Sequence, residues 1–224
     1  DPGGINLARL DLRVDGAHVR RLFVTAVPLT LTTATSELNL RLPQVLLVQL
    51  RDAVAAGQYA AAMRISEGLH FLPVIACSAL FPALVTAQRV GGAVWASRTE
   101  ALYAAMIWAG IVVAAPISLA APALIGLLFG PDYAPAAQVL AVHAWSLPLI
   151  ALAVARQRTL LAESRVRFNL LAAMVNLACN LGLAWLLIPP LGAVGAAWAS
   201  VLPRLVSGVA LNFVFAHARP HGIA

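Results

Sequence analysis

Six long apolar stretches, separated by short polar gaps, constrain this chain more than any motif in it. They cover residues 22–50, 59–88, 101–129, 136–155, 168–188 and 193–215. A helix that crosses the hydrocarbon core of a bilayer needs about 20 predominantly apolar residues. Because lipid offers no hydrogen bonds to a bare backbone, such a stretch must satisfy its own backbone groups as a helix. The sequence therefore predicts an all-α membrane protein built as a six-transmembrane-helix bundle.

Composition excludes a water-soluble domain and argues against a nucleic-acid partner. The chain is 61% hydrophobic and 11% charged, whereas soluble domains carry roughly 25% charged residues. A nucleic-acid interface needs its basic residues gathered on one face, but here they are scattered among apolar stretches. The net charge of +6 is better explained by cations that face anionic membrane lipids.

The arginines predict which way the helices run. All 15 basic residues are arginines, and only Arg51 lies in the gaps at 51–58, 130–135 and 189–192. Cytoplasmic connections of membrane proteins carry the excess of basic residues, so both termini are predicted to be cytoplasmic. The alternate gaps and the two ends hold eleven arginines: Arg9, Arg13, Arg20, Arg21, Arg89, Arg98, Arg156, Arg158, Arg165, Arg167 and Arg219.

The chain divides into three parts on this basis. Residues 1–21 are predicted as a cytoplasmic, amphipathic lead-in, residues 22–217 as the six-span lobe, and residues 218–224 as a cytoplasmic tail. The chain begins with Asp1 and no signal peptide precedes the first span. We therefore expect it to be a fragment, or the tail of a longer protein.

Three arginines fall inside apolar stretches, where lipid makes a cation expensive. Arg41, Arg64 and Arg204 are these residues, and an unpaired charge at the centre of a span costs about 2.5–3.5 kcal/mol on insertion scales. Arg41 follows Glu37 by four residues, and Glu67 follows Arg64 by three, so each pair shares one helix face. Arg204 has no acidic residue within a turn. We expect a carboxylate from another helix, or an anionic ligand, to meet it.

The first span is unusually polar, and this decides between two interpretations of its charges. It carries Asn39 between Glu37 and Arg41, together with several threonines. A helix of this kind is predicted to line a water-filled cavity. The alternative for both acid–arginine pairs is a structural ion pair that fixes helix register, and for Arg64 with Glu67 the two interpretations stay equally open because snorkelling is easy there.

Other polar residues in the spans are explained by packing and hydrogen bonding. Asn169, Asn176 and Asn180 lie at helical spacing and are predicted to make interhelical hydrogen bonds. His143 is able to relay protons, but a neutral, hydrogen-bonded histidine is favoured. The small residues that open the last span are predicted to pack against the fifth span: Gly192, Gly195, Ala196, Ala199 and Ser200.

No motif of an enzyme is present in the sequence. There is no phosphate-binding glycine loop, no nucleophile elbow and no cluster of metal ligands at workable spacing. We therefore expect no catalytic residue, no metal site and no cofactor, and we expect that the protein is not an enzyme.

Three segments form an ordered set: GQYAAAMRISEGLHFLPVIACSALFPAL (57–84), LLFGPDYAPAAQVLAV (127–142) and NLACNLGLAWLLIPPLGAVGAAWAS (176–200). They resemble the C-terminal half of Wzx-type polysaccharide flippases, members of the multidrug/oligosaccharidyl-lipid/polysaccharide exporter superfamily. The order and spacing of the segments match the family, and the resemblance covers essentially residues 20–215.

The resemblance implies one lobe of a two-lobed exporter of twelve or more helices in the bacterial inner membrane. Its implied partners are membrane lipids, the missing N-terminal lobe and an undecaprenyl-diphosphate-linked oligosaccharide, moved from the cytoplasmic to the outer leaflet. Arg41, Arg64 and Arg204 would then contact the diphosphate or sugar. Glu37, Glu67 and Asn39 would support them in the cavity.

Three other functions stay open at this point, and one of them is a non-transporting lipid-binding scaffold. A multidrug antiporter of the same superfamily would bind cationic drugs, although arginines outnumber acids in the spans by three to two. A membrane polysaccharide polymerase or ligase is less favoured, because the outer connections are too short for a catalytic domain.

Overall fold

Helices account for nearly all of the chain that the structure describes. This computed structural model describes residues 16–162 and 166–217. The predicted lead-in therefore lies outside the described residues as far as residue 15, and the predicted tail at 218–224 lies outside them entirely. The helices are α1 Gly16–Leu50, α2 Ala53–Leu69, α3 Phe71–Val90, α4 Gly92–Phe129, α5 Ala136–His143, α6 Ser146–Ala162 and α7 Val166–His217, with one 3-10 turn at Pro131–Tyr133.

Four helical segments are long and apolar enough to cross a membrane. They are Ala53–Val90, Gly92–Phe129, Ala136–Leu161 and Phe168–Ser207. The described chain is thus all-α and of the membrane class that the sequence predicts. The helix α1 is not one of the four, because its apolar residues are interrupted by charged and hydroxyl side chains. The predicted count of six spans remains a prediction.

Two of these segments are broken near the middle, each shortly before a proline. The first breaks at His70, between α2 and α3, and the second between His143 and Ser146, where α5 gives way to α6. Proline has no N–H and its ring clashes with the carbonyl four residues earlier. Pro73 therefore disrupts the helix at Leu69, and Pro148 disrupts it at Ala144. A histidine lies at each break, His70 between α2 and α3 and His143 as the last residue of α5.

The long helix α7 reverses direction at Gly192. This glycine has φ 57° and ψ −131°, a left-handed conformation that favours a residue without a side chain. Beyond it the chain runs back along itself. The two halves pack so closely that a Cβ atom on Gly195 would overlap the carbonyl of Leu187. The predicted packing of Gly195 against the fifth apolar stretch is confirmed. Residues 166–191 and 193–217 are referred to below as the two arms of α7.

The helices pack into one bundle with a largely apolar core. Helix α1 packs chiefly against α7, α4 against α6 and α3, and α2 against α5. Leu47, Ile125, Leu140 and Ile188 are fully buried in the main apolar cluster. The Gln58 amide ties α2 to the 3-10 turn, because it donates to the Asp132 carbonyl at 2.9 Å and accepts from the Ala136 N–H at 3.2 Å.

We expect the close approach of the two α7 arms to make Gly195 intolerant of any side chain. Gly195→Ala should lower the free energy of unfolding by about 1–3 kcal/mol, the usual cost of overpacking. Gly182→Ala is the matched control, because a Cβ there meets nothing within 4 Å and alanine favours helix. Unfolding in detergent measures both variants. Equal stability of the two would contradict the hairpin.

Candidate functional site

A polar cavity of about 280 Å³ lies between α1, α6 and α7. The outer surface of the bundle is mainly apolar, with many large hydrophobic side chains exposed. Polar groups inside an apolar bundle are expensive unless they are paired or functional, so this cavity is the candidate site. Its polar lining residues are Thr32, Ser36, Asn39, His70, Arg156, Gln157, Asn169, Asn176, Arg204 and Ser207.

Arg204 enters the cavity from the second arm of α7. It is half-buried, and its guanidinium donates to the carbonyl of Ser200 one turn earlier. Tyr59 is the phenol in electrostatic reach of it, and the Tyr59 hydroxyl shares a 3.4 Å hydrogen bond with Ser200. A guanidinium has five N–H donors, so most of the hydrogen-bonding capacity of Arg204 is available to a ligand.

Arg156 reaches the same cavity from α6 and was not predicted as a site residue. Sequence analysis placed it in the gap after residue 155, but the candidate span continues to Leu161 and Arg156 is buried within it. Its Nη1 donates to the Ser207 carbonyl at 3.2 Å, while its Nε is buried with no partner among the described residues. The apolar pair Leu160 and Leu161, one turn beyond the arginine, was the signal that the helix continues.

Three asparagines and a serine join α1 to both arms of α7. Asn39 donates to Asn176 and accepts from Asn180, so one side chain of α1 bridges two turns of the first arm. Asn176 in turn donates to the Ser207 hydroxyl of the second arm at 3.1 Å. Asn169 makes a longer contact of 3.5 Å to the carbonyl of Gln157 in α6. The predicted interhelical hydrogen bonding of the asparagine stripe is confirmed.

The cavity brings together only two of the six predicted site residues. Arg204 and Asn39 line it, whereas the other four do not contribute to its lining. Of those four, Glu67 is half-buried and three are exposed: Glu37, Arg41 and Arg64.

The predicted pairing of arginines with acids is not seen. In the part of the chain that the structure describes, no carboxylate makes an ion pair with Arg41, Arg64 or Arg204. The roles predicted for these three arginines, and for Glu37, Glu67 and Asn39 as their support, stay predictions.

Two histidines lie next to the cavity at the two helix breaks. His143 is fully buried, and its Nδ1 shares hydrogen bonds with Ser66 at 2.8 Å and Ser146 at 3.4 Å. The predicted hydrogen bonding of His143 is thus confirmed at one ring nitrogen. His70 lines the cavity, and its ring centroid is 6.2 Å from that of His143.

No protein-family model, curated protein or solved structure matches this chain. Functional inference therefore depends on the chemistry of the cavity and not on likeness of fold. The described lining combines two guanidinium groups with several amides and hydroxyls and holds no carboxylate. Such a set of donors is suited to an anion.

We expect the contact between Asn39 and Asn180 to contribute to stability as a specific pair. A double-mutant cycle of Asn39→Ala and Asn180→Ala should give a coupling energy of about 0.6 kcal/mol, the average for polar pairs between membrane helices. Thr33→Ala with Asn180→Ala is the control cycle, since the exposed Thr33 bonds only its own helix. Unfolding in detergent measures each variant. Equal coupling in the two cycles would rule out the network.

Proposed function

We propose that this chain forms one lobe of a lipid-linked oligosaccharide flippase in a bacterial inner membrane. Its cargo would be an undecaprenyl-diphosphate-linked oligosaccharide, moved from the cytoplasmic to the outer leaflet. One observation carries the proposal: Arg156 and Arg204 line a single polar cavity inside an apolar helical bundle, with no carboxylate in the described lining. The resemblance to Wzx-type flippases, drawn from the order of three segments, points the same way.

The chemistry of a diphosphate matches this lining. Phosphate oxygens accept strong, charge-assisted hydrogen bonds from guanidinium groups, and Arg156 keeps a buried Nε donor without a partner among the described residues. The amides of Asn39 and Asn176 supply further neutral donors around the cavity. A lipid-linked substrate would place its diphosphate here and leave its tail in the bilayer.

The six-span lobe is the finer part of the proposal. The six segments are α1, α4, the two arms of α7, and two broken spans. One broken span consists of α2 with α3, and the other of α5 with α6. The antiparallel arms support this count, since Asn176 and Ser207 lie side by side across the turn. The polar helix α1 then completes the lobe on the side of the cavity.

The predicted orientation places the cavity toward the cytoplasmic side. Gln157 and Asn169 line its edge, and they flank the arginine-rich connection that the positive-inside rule assigns to the cytoplasm. A substrate would therefore enter from the cytoplasmic leaflet. An inside-negative potential of 100 mV drives anions outward, so moving about two negative charges to the outer side is favourable by roughly 4–5 kcal/mol.

The rival functions receive less support from the same residues. A cationic drug would be repelled by two guanidinium groups that no acidic lining residue offsets in the described chain. A polymerase or ligase would need catalytic groups on the outer side, where the connections are the two residues Arg51 and Asp52 between α1 and α2, the 3-10 turn Pro131–Tyr133 and the reversal at Gly192. Arg41 and Arg64 would act from the exposed surfaces on which a second lobe would sit.

We expect that both cavity arginines are needed for export. Arg156→Gln and Arg204→Gln, each introduced into the gene in its own bacterium, should lower surface polysaccharide about tenfold or more. The reason is that a hydrogen bond to a charged group contributes about 1.5–3 kcal/mol. Arg89→Gln is the matched control, an exposed arginine at the end of α3. Immunoblots of protein level and of extracted polysaccharide measure the outcome, and normal export in both cavity variants would refute the assignment.

We also expect the six-span topology to set the sidedness of the short connections. In a Cys77→Ala, Cys179→Ala background, Asp132→Cys should react with a membrane-impermeant maleimide in intact cells. Ala93→Cys is the control on the opposite side and should react only after the cells are permeabilised. Both positions are exposed, so the membrane alone should separate them. Labelling of both in intact cells would be incompatible with this topology.

A further inference from the structure

The two histidines at the helix breaks lie close together, and each has an unused ring nitrogen. The Nε2 atoms of His70 and His143 are both buried and have no hydrogen-bond partner among the described residues. The rings are tilted by 33° with centroids 6.2 Å apart, and Ser66 shares a 2.8 Å hydrogen bond with the Nδ1 atom of His143. Buried polar atoms are nearly always satisfied, so two such nitrogens on neighbouring rings call for an explanation.

A proton is the ligand that best fits these two nitrogens. Neutral imidazole carries one donor and one acceptor nitrogen, and protonation turns both into donors. In the tautomer in which Nδ1 of His143 donates to Ser66, Nε2 is the acceptor nitrogen and takes up the added proton. A divalent cation is less suited to the site, because only two histidines are present and Arg204 lies within electrostatic reach of both.

The charges around the pair come from three helices. Arg204 approaches both rings from α7, and Arg156 from α6 lines the same cavity as His70. Tyr59 and Glu67 are the titratable neighbours on α2, and Glu67 interacts electrostatically with Tyr59. From α1 the cavity receives hydroxyl and amide groups. Within the described residues, α3 and α4 bring no charged side chain to either ring.

Two effects oppose each other at this pair. Burial disfavours a positive imidazolium most, and Arg204 disfavours it as well, because charges of like sign repel. His143 ends α5, whose dipole favours a positive charge there, whereas His70 both ends α2 and precedes α3, so the two helix dipoles at His70 act in opposite directions. An anion beside Arg204 reverses the sign of the repulsive contribution and so favours the protonated form of the pair.

We infer that binding of a phosphate-containing anion in the cavity is linked to uptake of a proton by the His70–His143 pair. The proton comes from solvent, is held on one imidazole of the pair while the anion is bound, and returns to solvent when the anion leaves. Because linkage is reciprocal, a lower pH strengthens anion binding. This inference rests on the proposed function, since it takes the diphosphate group as the anion that fills the cavity.

The sign of the pH effect is fixed by which state binds more protons. The anion-bound state carries the extra proton, so affinity rises as pH falls through the range in which the pair titrates. The affinity changes by at most tenfold for each pH unit when one proton is taken up. Diphosphate itself titrates near pH 6, and its contribution has to be removed by comparison with a variant.

Calorimetry with farnesyl diphosphate as the probe tests the linkage. The chain is held in phosphatidylcholine nanodiscs, and titrations at pH 6 and pH 8 in two buffers of different ionisation enthalpy give the protons taken up per anion bound. The wild-type chain should take up more protons than the His70→Gln/His143→Gln variant. Its affinity gain between pH 8 and pH 6 should also be about tenfold larger. His221→Gln, outside the described residues, is the matched histidine control and should behave as wild type.

Two additional arms separate the sources of the anion. Inorganic pyrophosphate reports the diphosphate group without a lipid tail, and nanodiscs with phosphatidylglycerol report competition by a lipid headgroup. Proton uptake with pyrophosphate alone would assign the linkage to the diphosphate. A different result would assign the linkage to lipid headgroups. In that case farnesyl diphosphate would not bind in phosphatidylglycerol nanodiscs, and the histidine pair would already be protonated there before the probe is added. Both results support anion-linked protonation and differ in which anion is bound.

Nitrogen NMR of the histidine side chains decides the matter without any substitution. In ¹⁵N-histidine-labelled wild-type chain at pH 7, the probe should move two imidazole signals toward imidazolium positions. Unmoved signals while the probe binds would overturn the inference, as would equal proton uptake by wild type and the double variant. Stoichiometric Zn²⁺ binding that both histidine substitutions abolish would overturn it too. Failure of the probe to bind at any pH would instead remove the proposed function and this inference together.

Discussion

Two guanidinium groups held inside apolar helices are the constraint on which the other polar features of this protein depend. Arg156 lies within the segment Ala136–Leu161 and Arg204 within Phe168–Ser207, where an unpaired cation is costly. Neither is neutralised by a carboxylate among the described residues, so each is accommodated by main-chain carbonyls and by a polar cavity. The asparagines and hydroxyl groups of α1 and α7 complete that cavity, and they also hold three helical segments together.

The backbone breaks bring titratable groups to the same cavity. Pro73 and Pro148 each interrupt a span shortly after a histidine, so His70 lies between α2 and α3 and His143 is the last residue of α5. In a membrane, such irregular backbone is tolerated where it is buried in protein or lines a cavity. The same two prolines thereby account for the broken spans and for the position of the histidine pair beside Arg204.

Much of the fold and part of the site followed from the sequence. The length of the apolar stretches predicted an all-α membrane protein, and the interhelical bonding of Asn176 and Asn180 followed from their spacing. The small residues after Gly192 correctly indicated a helix packed against the preceding stretch. Arg204, which the sequence places inside an apolar stretch, lines the cavity, and its role there stays a prediction.

The rest of the site could not be predicted from the sequence of any single helix. Arg156 was assigned to a connection, since the helix end after it depends on how α6 packs and not on hydropathy alone. Glu37 and Arg41 are four residues apart and share a face, but the direction of that face is set by how α1 packs against α7, and both residues are exposed.

The amino-acid sequence by itself determined which segments are helical and apolar, and where proline and glycine must break them, because these are properties of local backbone and side-chain chemistry. Only the tertiary structure decided which polar residues meet. Arg156, Arg204 and His70 lie far apart in the chain and come together because three helices pack around one cavity.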